Sequence, residues 1–236
     1  MPRDAAHAFA TEGSHLERYA VGLNCTEINS TFYRLPRAST LARWAASVPP
    51  DFRFALKAPK AITHAAALVR CSTALAEFIT LAANLGENLG PLLFQLPPKQ
   101  QFNPAVAEEF LIALREMHAG PAVFEPRHGS WFTPEAGALL RHFEVARAAA
   151  DPARVPAAAH PGGWAGLRYF RLHGSPRTYY SRYEDAFIAQ LAETLRAQPA
   201  GAHLWIIFDN TAMNAAIHNA RELQAVLAPH RTSRQA

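Results

Sequence analysis

The sequence predicts an α/β fold, specifically a TIM-barrel-like (β/α) barrel, and three observations support it. Short strand-like runs alternate with amphipathic helical patterns, which is typical of βα units around a parallel sheet. Seven such runs occur, and the 236 residues are close to the length of a single α/β barrel. The alternative is a doubly wound sheet, but the sequence contains no G-x-G-x-x-G or P-loop motif to support it.

The predicted strands share a short apolar run that ends in polar or turn residues. They are residues 25–30, 52–59, 91–97, 122–128, 144–151, 169–174 and 204–210. Because they follow one another without an interdomain linker, we predict one domain over 1–236. Its core is expected over 14–227, with flexible ends at 1–13 and 229–236.

The predicted helices lie between these strands and several begin at recognisable caps. The capping boxes are Ser14 with Glu17 and Ser181 with Glu184, and the caps before a proline are Asn103 and Thr133. Apolar stripes at helical spacing cover 75–85, 106–117 and 187–195, and further helices are expected at 39–48 and 214–227. Residues 152–167 are rich in Pro and Gly, so we expect a long loop or irregular cover there.

The composition limits the class of protein. The formal net charge is +4 and the pI about 9.3, a mild excess that suits anionic ligands without demanding nucleic acid. Cys25 and Cys71 are the two cysteines and form no C-x-x-C pair, which argues against a zinc-thiolate site and favours a reducing cytoplasm. No apolar run approaches the length of a membrane span. We therefore predict a soluble, cytoplasmic protein, and the sequence carries no signal for an oligomeric state.

Polar residues occupy one parity of most predicted strands, near the carboxyl end. In a barrel the apolar parity packs against the outer helices and the other parity faces the interior, where the carboxyl ends of the strands build active sites. The sequence therefore predicts a ring of inward-facing polar side chains at one rim. They are Glu27, Asn29, Lys57, Gln95, Glu125, Arg127, Arg171 and His173.

Six linked motifs resemble the domain of unknown function 72, the YecE-like family. They are "EINSTFYRLP", "FRFALKAPKAITH", "LGPLLFQLP", "FEPRHGSWF", "YFRLHG" followed by a Tyr pair, and "FDNTAMNAAIHNA". The resemblance covers roughly residues 14–227 in the same order. It implies a TIM-barrel-like fold with a polar pocket at the barrel mouth, and it implies no established reaction.

Two departures from that family pattern bear on the predictions. Family members begin with a strand of the "GTSGW" or "GCAGW" kind, and none precedes Ser14 here. Either the barrel lacks its first strand or the native chain begins upstream of Met1, and we favour the second because a missing strand would expose two edges. The usual "FNN" reads "FDN", which places a carboxylate at Asp209.

The candidate site residues take different expected roles. Glu125, His173 and Glu27 are the candidate catalytic residues, since carboxylates and imidazole perform acid/base chemistry. The structural alternatives are an internal salt bridge of Glu125 with Arg127 and a hydrogen bond of His173 that stabilises the fold. Lys57 can bind an anion or form a Schiff base, although we expect ion pairing with nearby acids. The candidate ligand-binding residues are Arg127, Arg171, Lys57, Asn29, Gln95, Asp151, Asn210, Tyr33 and His128.

Function is predicted as acid/base catalysis on a small polar molecule, anionic or sugar-like, bound at the barrel mouth. The alternatives are a barrel that binds or processes nucleic acid or nucleotide phosphates, and a ligand-binding barrel without catalysis. No cofactor is assigned. The acids and His173 are suitable ligands for a divalent metal, but no motif concentrates them and three cations compete for the same carboxylates, so a metal stays an open alternative.

Overall fold

The computed structural model describes residues 9–228 and has a mixed α/β fold. Seven α-helices alternate with the strands, as the sequence predicted. They are α1 (His15–Gly22), α2 (Ala38–Ala46), α3 (Ser72–Ala82), α4 (Pro104–Met117), α5 (Pro134–His142), α6 (Asp185–Arg196) and α7 (Ala215–Leu227). None of the helices in the described residues is both long enough and apolar enough to cross a bilayer.

The strands are short and form two sheets. They are β1 (Cys25–Ile28), β2 (Arg53–Lys57), β3 (Leu89–Gln95), β4 (Ala122–Glu125), β5 (Val145–Arg147), β6 (Ala149–Asp151), β7 (Gly162–Gly163), β8 (Leu167–Leu172) and β9 (His203–Phe208). One sheet has the order β1-β2-β3-β4-β5-β7 and the other β6-β8-β9. Every neighbouring pair is parallel except β5 with β7. The predicted α/β fold with a parallel sheet is therefore confirmed.

The two sheets are joined by one broken strand. Only Ala148 separates β5 from β6, so the predicted strand 144–151 passes from one sheet to the other. Within residues 9–228, β1 pairs only with β2 and β9 only with β8, and no ladder joins the two outer strands. The closed ring of strands that defines a complete barrel is not observed.

Alternation along the strands separates two apolar cores. Phe54, Leu56 and Phe124 belong to the larger core, which packs beneath the helices α2–α5. Ala55, between Phe54 and Leu56 in β2, and Val123, just before Phe124 in β4, point to the other face. Both belong to a second core, the inner core, which gathers side chains from strands of both sheets. The other members of this inner core include Cys25, Leu93, Ala146, Ala148, Tyr169, Trp205 and Ile207. A side chain two positions beyond an inner-core residue therefore continues on the same inner face.

The helix starts follow the predicted caps with one exception. The Ser14 capping box is confirmed, and the Asn103 and Thr133 side chains accept hydrogen bonds from the third following backbone N–H. The Ser181 cap is wrong, because α6 begins at Asp185 and is preceded by Glu184 without a side-chain cap. Ser181 instead accepts a hydrogen bond from the backbone N–H of Arg177 at 3.0 Å.

Two further segments depart from the expectations. Residues 162–163 form the antiparallel strand β7 inside the predicted irregular cover. Gly163 has φ +65° and lies so close to β5 that a Cβ would sit 2.4 Å from the Val145 carbonyl oxygen, so glycine is required there. Phe9, in the segment expected to be flexible, is buried against Tyr19 and Leu23. Residues 1–8 and 229–236, the rest of the expected flexible ends, lie outside the described residues.

Candidate functional site

A buried charged layer lies on the inner face, at the carboxyl ends of β1, β2, β4 and β8. Five members follow an inner-core residue by two positions, and Arg127 and His173 follow Glu125 and Arg171 by two, which is why the side chains converge. We define the charged layer as Glu27, Lys57, Glu125, Arg127, Arg171, His173 and Asp209.

Arg171 is the centre of the charged layer and is 1% exposed. Its Nη2 lies 2.5 Å from Glu27 Oε1 and its Nη1 lies 2.5 Å from Glu125 Oε2. Asp209 Oδ2 is 3.4 Å from Nη2. Burial alone would lower the pKa of Arg171, but Glu125 and Glu27 raise it, so the guanidinium remains charged. Since its donors are committed to these carboxylates, Arg171 is not free to hold a ligand's negative group.

Glu27 is also fully engaged. Both its oxygens accept from Arg171, and the Tyr169 hydroxyl donates to its Oε2 at 2.8 Å. Burial and the neighbouring Glu27 charge raise the pKa of Tyr169, which keeps that hydroxyl a donor. These contacts make Glu27 a fixed negative charge that orients Arg171.

Glu125 is 2% exposed and bridges two arginines. Its Oε1 accepts from Arg127 at 3.0 Å and 3.1 Å, while its Oε2 accepts from Arg171. Burial would raise the pKa of Glu125, but Arg171, His173 and Arg127 hold it well below its usual range. Glu125 is therefore ionised at neutral pH and can orient or accept, but it carries no proton to donate.

His173 has a partner on each ring nitrogen. Nδ1 lies 3.1 Å from Asp209 Oδ2, and Nε2 lies 3.8 Å from Glu125 Oε1 and 3.4 Å from Arg171 Nη1. Burial would lower the pKa of His173, but hydrogen bonding to Asp209 and Glu125 raises it above its ordinary value. With Nδ1–H donated to Asp209, Nε2 can accept from Arg171 when neutral and face Glu125 when protonated. His173 can thus gain and lose a proton at Nε2 without losing a partner.

A small cavity of about 190 Å³ opens beside these groups. Its lining includes Glu125, Arg127 and His173 together with Phe132 and Arg154. The side chain of Arg127 is 23% exposed, whereas that of Arg171 is 1% exposed. Arg127 is therefore the cation of the charged layer that can reach a ligand in this cavity.

Lys57 differs from the arginines of the charged layer in its contacts, because it lies over an aromatic ring. Its Nζ lies 4.4 Å above the ring of Phe32, a cation–π distance. Among residues 9–228 it forms no salt bridge, because Glu27 and Glu125 are taken by arginines. Burial and the charge of Arg171 lower the pKa of Lys57 to about 8, against the attraction of the two glutamates. The ion pairing expected for Lys57 is not observed.

Other predicted residues divide between the charged layer and the surface. Asn29 lies in it, with its amide 3.5 Å from Asp209 Oδ1 and its oxygen 3.4 Å from Arg171. Gln95 is buried opposite Glu125 in the register of β3 and β4. Tyr33 is 75% exposed, and His128 caps the following turn by accepting from Ser130 N. The structure does not bring Tyr33 and His128 to the cavity.

Asp151 faces away from the charged layer. Its Oδ2 accepts from the Tyr183 hydroxyl at 2.6 Å. Asp151 pairs in register with Leu172, which belongs to a third apolar core, formed with side chains of α6. Ala150, its neighbour, takes the inner parity and lines the cavity. The structure therefore does not bring Asp151 to this cavity, because position alone at a strand's end does not fix the face.

Asn210 is enclosed rather than offered to a ligand. It is 0% exposed, and its amide donates to Ser181 O and to Asn219 Oδ1. Asn219 in turn accepts from Tyr183 N and donates to Tyr183 O, so it ties α7 to the segment before α6. These bonds give Asn210 a structural environment away from the cavity.

Replacing Asn219 with alanine is expected to lower the free energy of unfolding by about 1–3 kcal/mol, because buried backbone and amide groups lose their partners. Urea unfolding at pH 7 measures this. The matched control is Asn84→Ala, whose exposed amide caps a helix end and whose loss should cost about 0.5 kcal/mol or less. Equal effects of the two substitutions would contradict the assignment.

Sequence reasoning left Asp209, Tyr169 and Phe32 out of the candidate site. Asp209 follows the inner residue Ile207 by two positions, and Tyr169 precedes Arg171 by two, so the period of the strands could have found both. Phe32 lies in a turn, Ser30–Phe32, and carries no such signal. Within residues 9–228, no three His, Cys, Asp or Glu side chains gather closely enough to hold a metal ion.

The fold and site together define a mixed α/β protein with a buried charged layer at the carboxyl ends of its parallel strands. A family model described as "Protein of unknown function DUF72" matches residues 7–236, so the chain belongs to this family. The sequence resemblance to that family is confirmed.

Curated relatives and solved structures agree with this assignment. The UPF0759 protein YecE of Escherichia coli strain K12 is 42% identical over 82 residues, which are 35% of this chain and 30% of that protein. The match thus spans under a third of the relative's length. A DUF72 family protein of Enterococcus faecalis V583 superposes with TM-score 0.79 at 21% identity, over 95% of this chain and 92% of that one. One of Thermotoga maritima MSB8 gives 0.73 at 23%, over 89% and 87%. These likenesses show the fold.

Proposed function

We propose that this protein is an enzyme that performs acid/base chemistry on a small anionic molecule bound in the cavity beside His173. The observation that carries the proposal is the arrangement of His173 between Asp209 and Glu125, next to a partly exposed arginine. An imidazole that is oriented through Nδ1 and has only longer contacts at Nε2, 3.4 Å to Arg171 and 3.8 Å to Glu125, has the geometry of a general acid/base.

The roles in this proposal follow from which groups are free. Arg127 holds the negative group of the ligand, because it is the layer's accessible guanidinium. His173 moves the proton at Nε2, and Asp209 fixes the ring through Nδ1. Glu125 is held ionised and orients Arg127 and Arg171, and Glu27 pairs with Arg171 from the other side. The scaffold alternative explains the Arg171 pairs, but it gives no reason to leave Arg127 open to the cavity.

We also propose that the two sheets form one open barrel. The seven principal strands follow a single order from β1 to β9 through the broken strand β5–β6, and their inner side chains share one core. This arrangement supports the ligand position, since the carboxyl ends of barrel strands are where barrel sites are built.

Incubation of the protein with a panel of small anionic metabolites, followed by mass spectrometry of the mixture, tests the proposed function. We expect at least one compound to be converted by the wild type. Arg127→Met should weaken its binding or raise its KM by about tenfold or more, because a charge-assisted pair is lost.

The matched control is Arg196→Met. It removes an exposed arginine that pairs with Glu193 on α6, outside the charged layer, and it should leave conversion unchanged. A wild type that binds none of the panel would contradict the proposal. A compound bound through Arg127 but left unaltered would instead support the non-catalytic ligand-binding alternative.

A further inference from the structure

We propose that Lys57 is a nucleophile that forms an imine with a small aldehyde or ketone bearing an anionic group. This inference rests on the proposed function and names the class of substrate for the same site. Three observations carry it: the position of Lys57 in the charged layer, its lack of a carboxylate partner within residues 9–228, and the rarity of lysine in this chain.

The position follows from the strand. Ala55 belongs to the inner core, so Lys57, two residues on, points to the same face as Glu125 and Arg171. The side chain is partly exposed, which leaves Nζ within reach of a small molecule. The charges of Glu27, Glu125 and Arg127 all act on the ammonium group, and Glu125 and Arg127 also line the cavity of the proposed anion site.

The surroundings of Lys57 favour the neutral amine. The two neighbouring glutamates are already paired with arginines, and Nζ lies over the face of Phe32. Partial burial and nearby guanidinium groups penalise a further positive charge. A lysine desolvated next to other cations is the arrangement that activates an amine toward carbonyl groups.

The composition of the chain makes lysine at this position informative. Of the 23 Lys and Arg residues, three are lysines, namely Lys57, Lys60 and Lys99. Lys60 and Lys99 are exposed, and the other cations that we place in the charged layer are arginines. Arginine cannot lose its proton at neutral pH, whereas lysine can when its environment permits.

The proposed step balances without a cofactor. The lone pair of Lys57 Nζ attacks the carbonyl carbon, and the carbon–oxygen π pair moves to oxygen. Nitrogen then gives up one proton while oxygen gains one, which yields a carbinolamine. The hydroxyl group takes up a proton and leaves as water while the nitrogen lone pair forms the carbon–nitrogen double bond. The protonated imine then releases a proton from nitrogen, which replaces the one taken up, and the imine remains. An amine and a carbonyl compound are consumed, and one imine and one water are formed.

Reductive labelling with formaldehyde and sodium cyanoborohydride at pH 8 tests the amine itself, with peptide mass spectrometry as the readout. We expect Lys57 to be labelled about tenfold faster or more than Lys60 and Lys99, because roughly half of an amine with pKa about 8 is neutral there, against under about 1% of an ordinary lysine. Lys57→Arg should remove the fast-labelled peptide and Lys60→Arg should keep it. Labelling of Lys57 no faster than the two exposed lysines would overturn the inference, and this comparison needs no variant to fold.

Glyoxylate and lactate separate this inference from the proposed function. Glyoxylate, an anionic aldehyde, should label Lys57 in the wild type. Because Arg127 also acts on the ammonium group of Lys57, the readout in Arg127→Met is the ratio of the glyoxylate to the formaldehyde labelling rate, which should fall about tenfold. Lactate carries a carboxylate and no carbonyl group. If calorimetry shows lactate binding through Arg127 while glyoxylate leaves Lys57 unlabelled, the imine step is wrong and the proposed anion site stands. If lactate does not bind and glyoxylate does not label, both are wrong.

Discussion

Replacing Arg171 with methionine is expected to lower the free energy of unfolding by about 3–5 kcal/mol at pH 7. The substitution leaves Glu27 and Glu125 buried and charged without their main partner, and each side chain is at most 2% exposed. Methionine fills much of the volume, so the loss measures the uncompensated charges rather than a cavity. Urea or guanidinium unfolding at constant pH gives the value.

Arg127→Met is the matched control for this prediction. Arg127 pairs with the same Glu125, but it is partly solvated, and exposed pairs contribute about 1 kcal/mol or less. The Arg171→Met penalty should also shrink as the pH falls, because Arg171 holds the pKa of Glu125 well below its usual range and protonation of Glu125 removes its unpaired charge. If Arg171→Met costs no more than Arg127→Met, Arg171 is not the electrostatic centre of the charged layer.

Replacing His173 with asparagine is expected to lower turnover of any identified substrate by about 10²- to 10⁴-fold, the usual contribution of a general acid/base. The asparagine amide can still donate toward Asp209 from near the Nδ1 position, so the local structure is retained while the titrating nitrogen is lost. Affinity for the anionic ligand should change little, because Arg127 is untouched. Steady-state kinetics, with kcat and KM resolved separately, provide the measurement.

The pH dependence gives this substitution a second readout. The pKa of His173 is raised in the folded protein, against the burial that would lower it, by hydrogen bonds to Asp209 and Glu125. Its contribution to stability is therefore present below the unfolded pKa of about 6.5 and is lost as the pH rises through the folded value. His173→Asn should lack this decline. Equal pH profiles of stability for the two proteins, or unchanged kcat, would contradict the role given to His173.

The sequence predicted the converging polar parity well because strand alternation is a local property. Glu27, Lys57, Glu125 and Arg171 all lie on one face, as the period of two requires. Strand alternation does not predict which charged side chains form ion pairs with one another. The sequence made both Arg171 and Lys57 ligand-binding candidates and favoured ion pairing for Lys57. In the structure Arg171 forms the buried ion pairs, with Glu27 at a separation of 144 residues and Glu125 at 46, and such distant pairs leave no local signal.

Positions after the strands were harder to predict. Asp151 and Asn210 end predicted strands, yet each is engaged by tertiary hydrogen bonds on another side, with Tyr183 and with Asn219. Turn geometry, not strand period, orients Tyr33 and His128. Whether the barrel closes was also beyond sequence reasoning. Pairing of the first strand with the last, or its absence as between β1 and β9 here, leaves no local pattern in either strand.

The location of a bound anion tests the account most directly, and NMR chemical-shift mapping can determine it. Glyoxylate and lactate should each be titrated into the labelled protein while side-chain signals of His173 and Arg127 are followed. We predict that the largest shifts occur at these two residues and that Arg127→Met abolishes them. Shifts concentrated instead at Trp164 and Trp205, which line a cavity of about 340 Å³ at the amino ends of the strands, would contradict a ligand site in the charged layer.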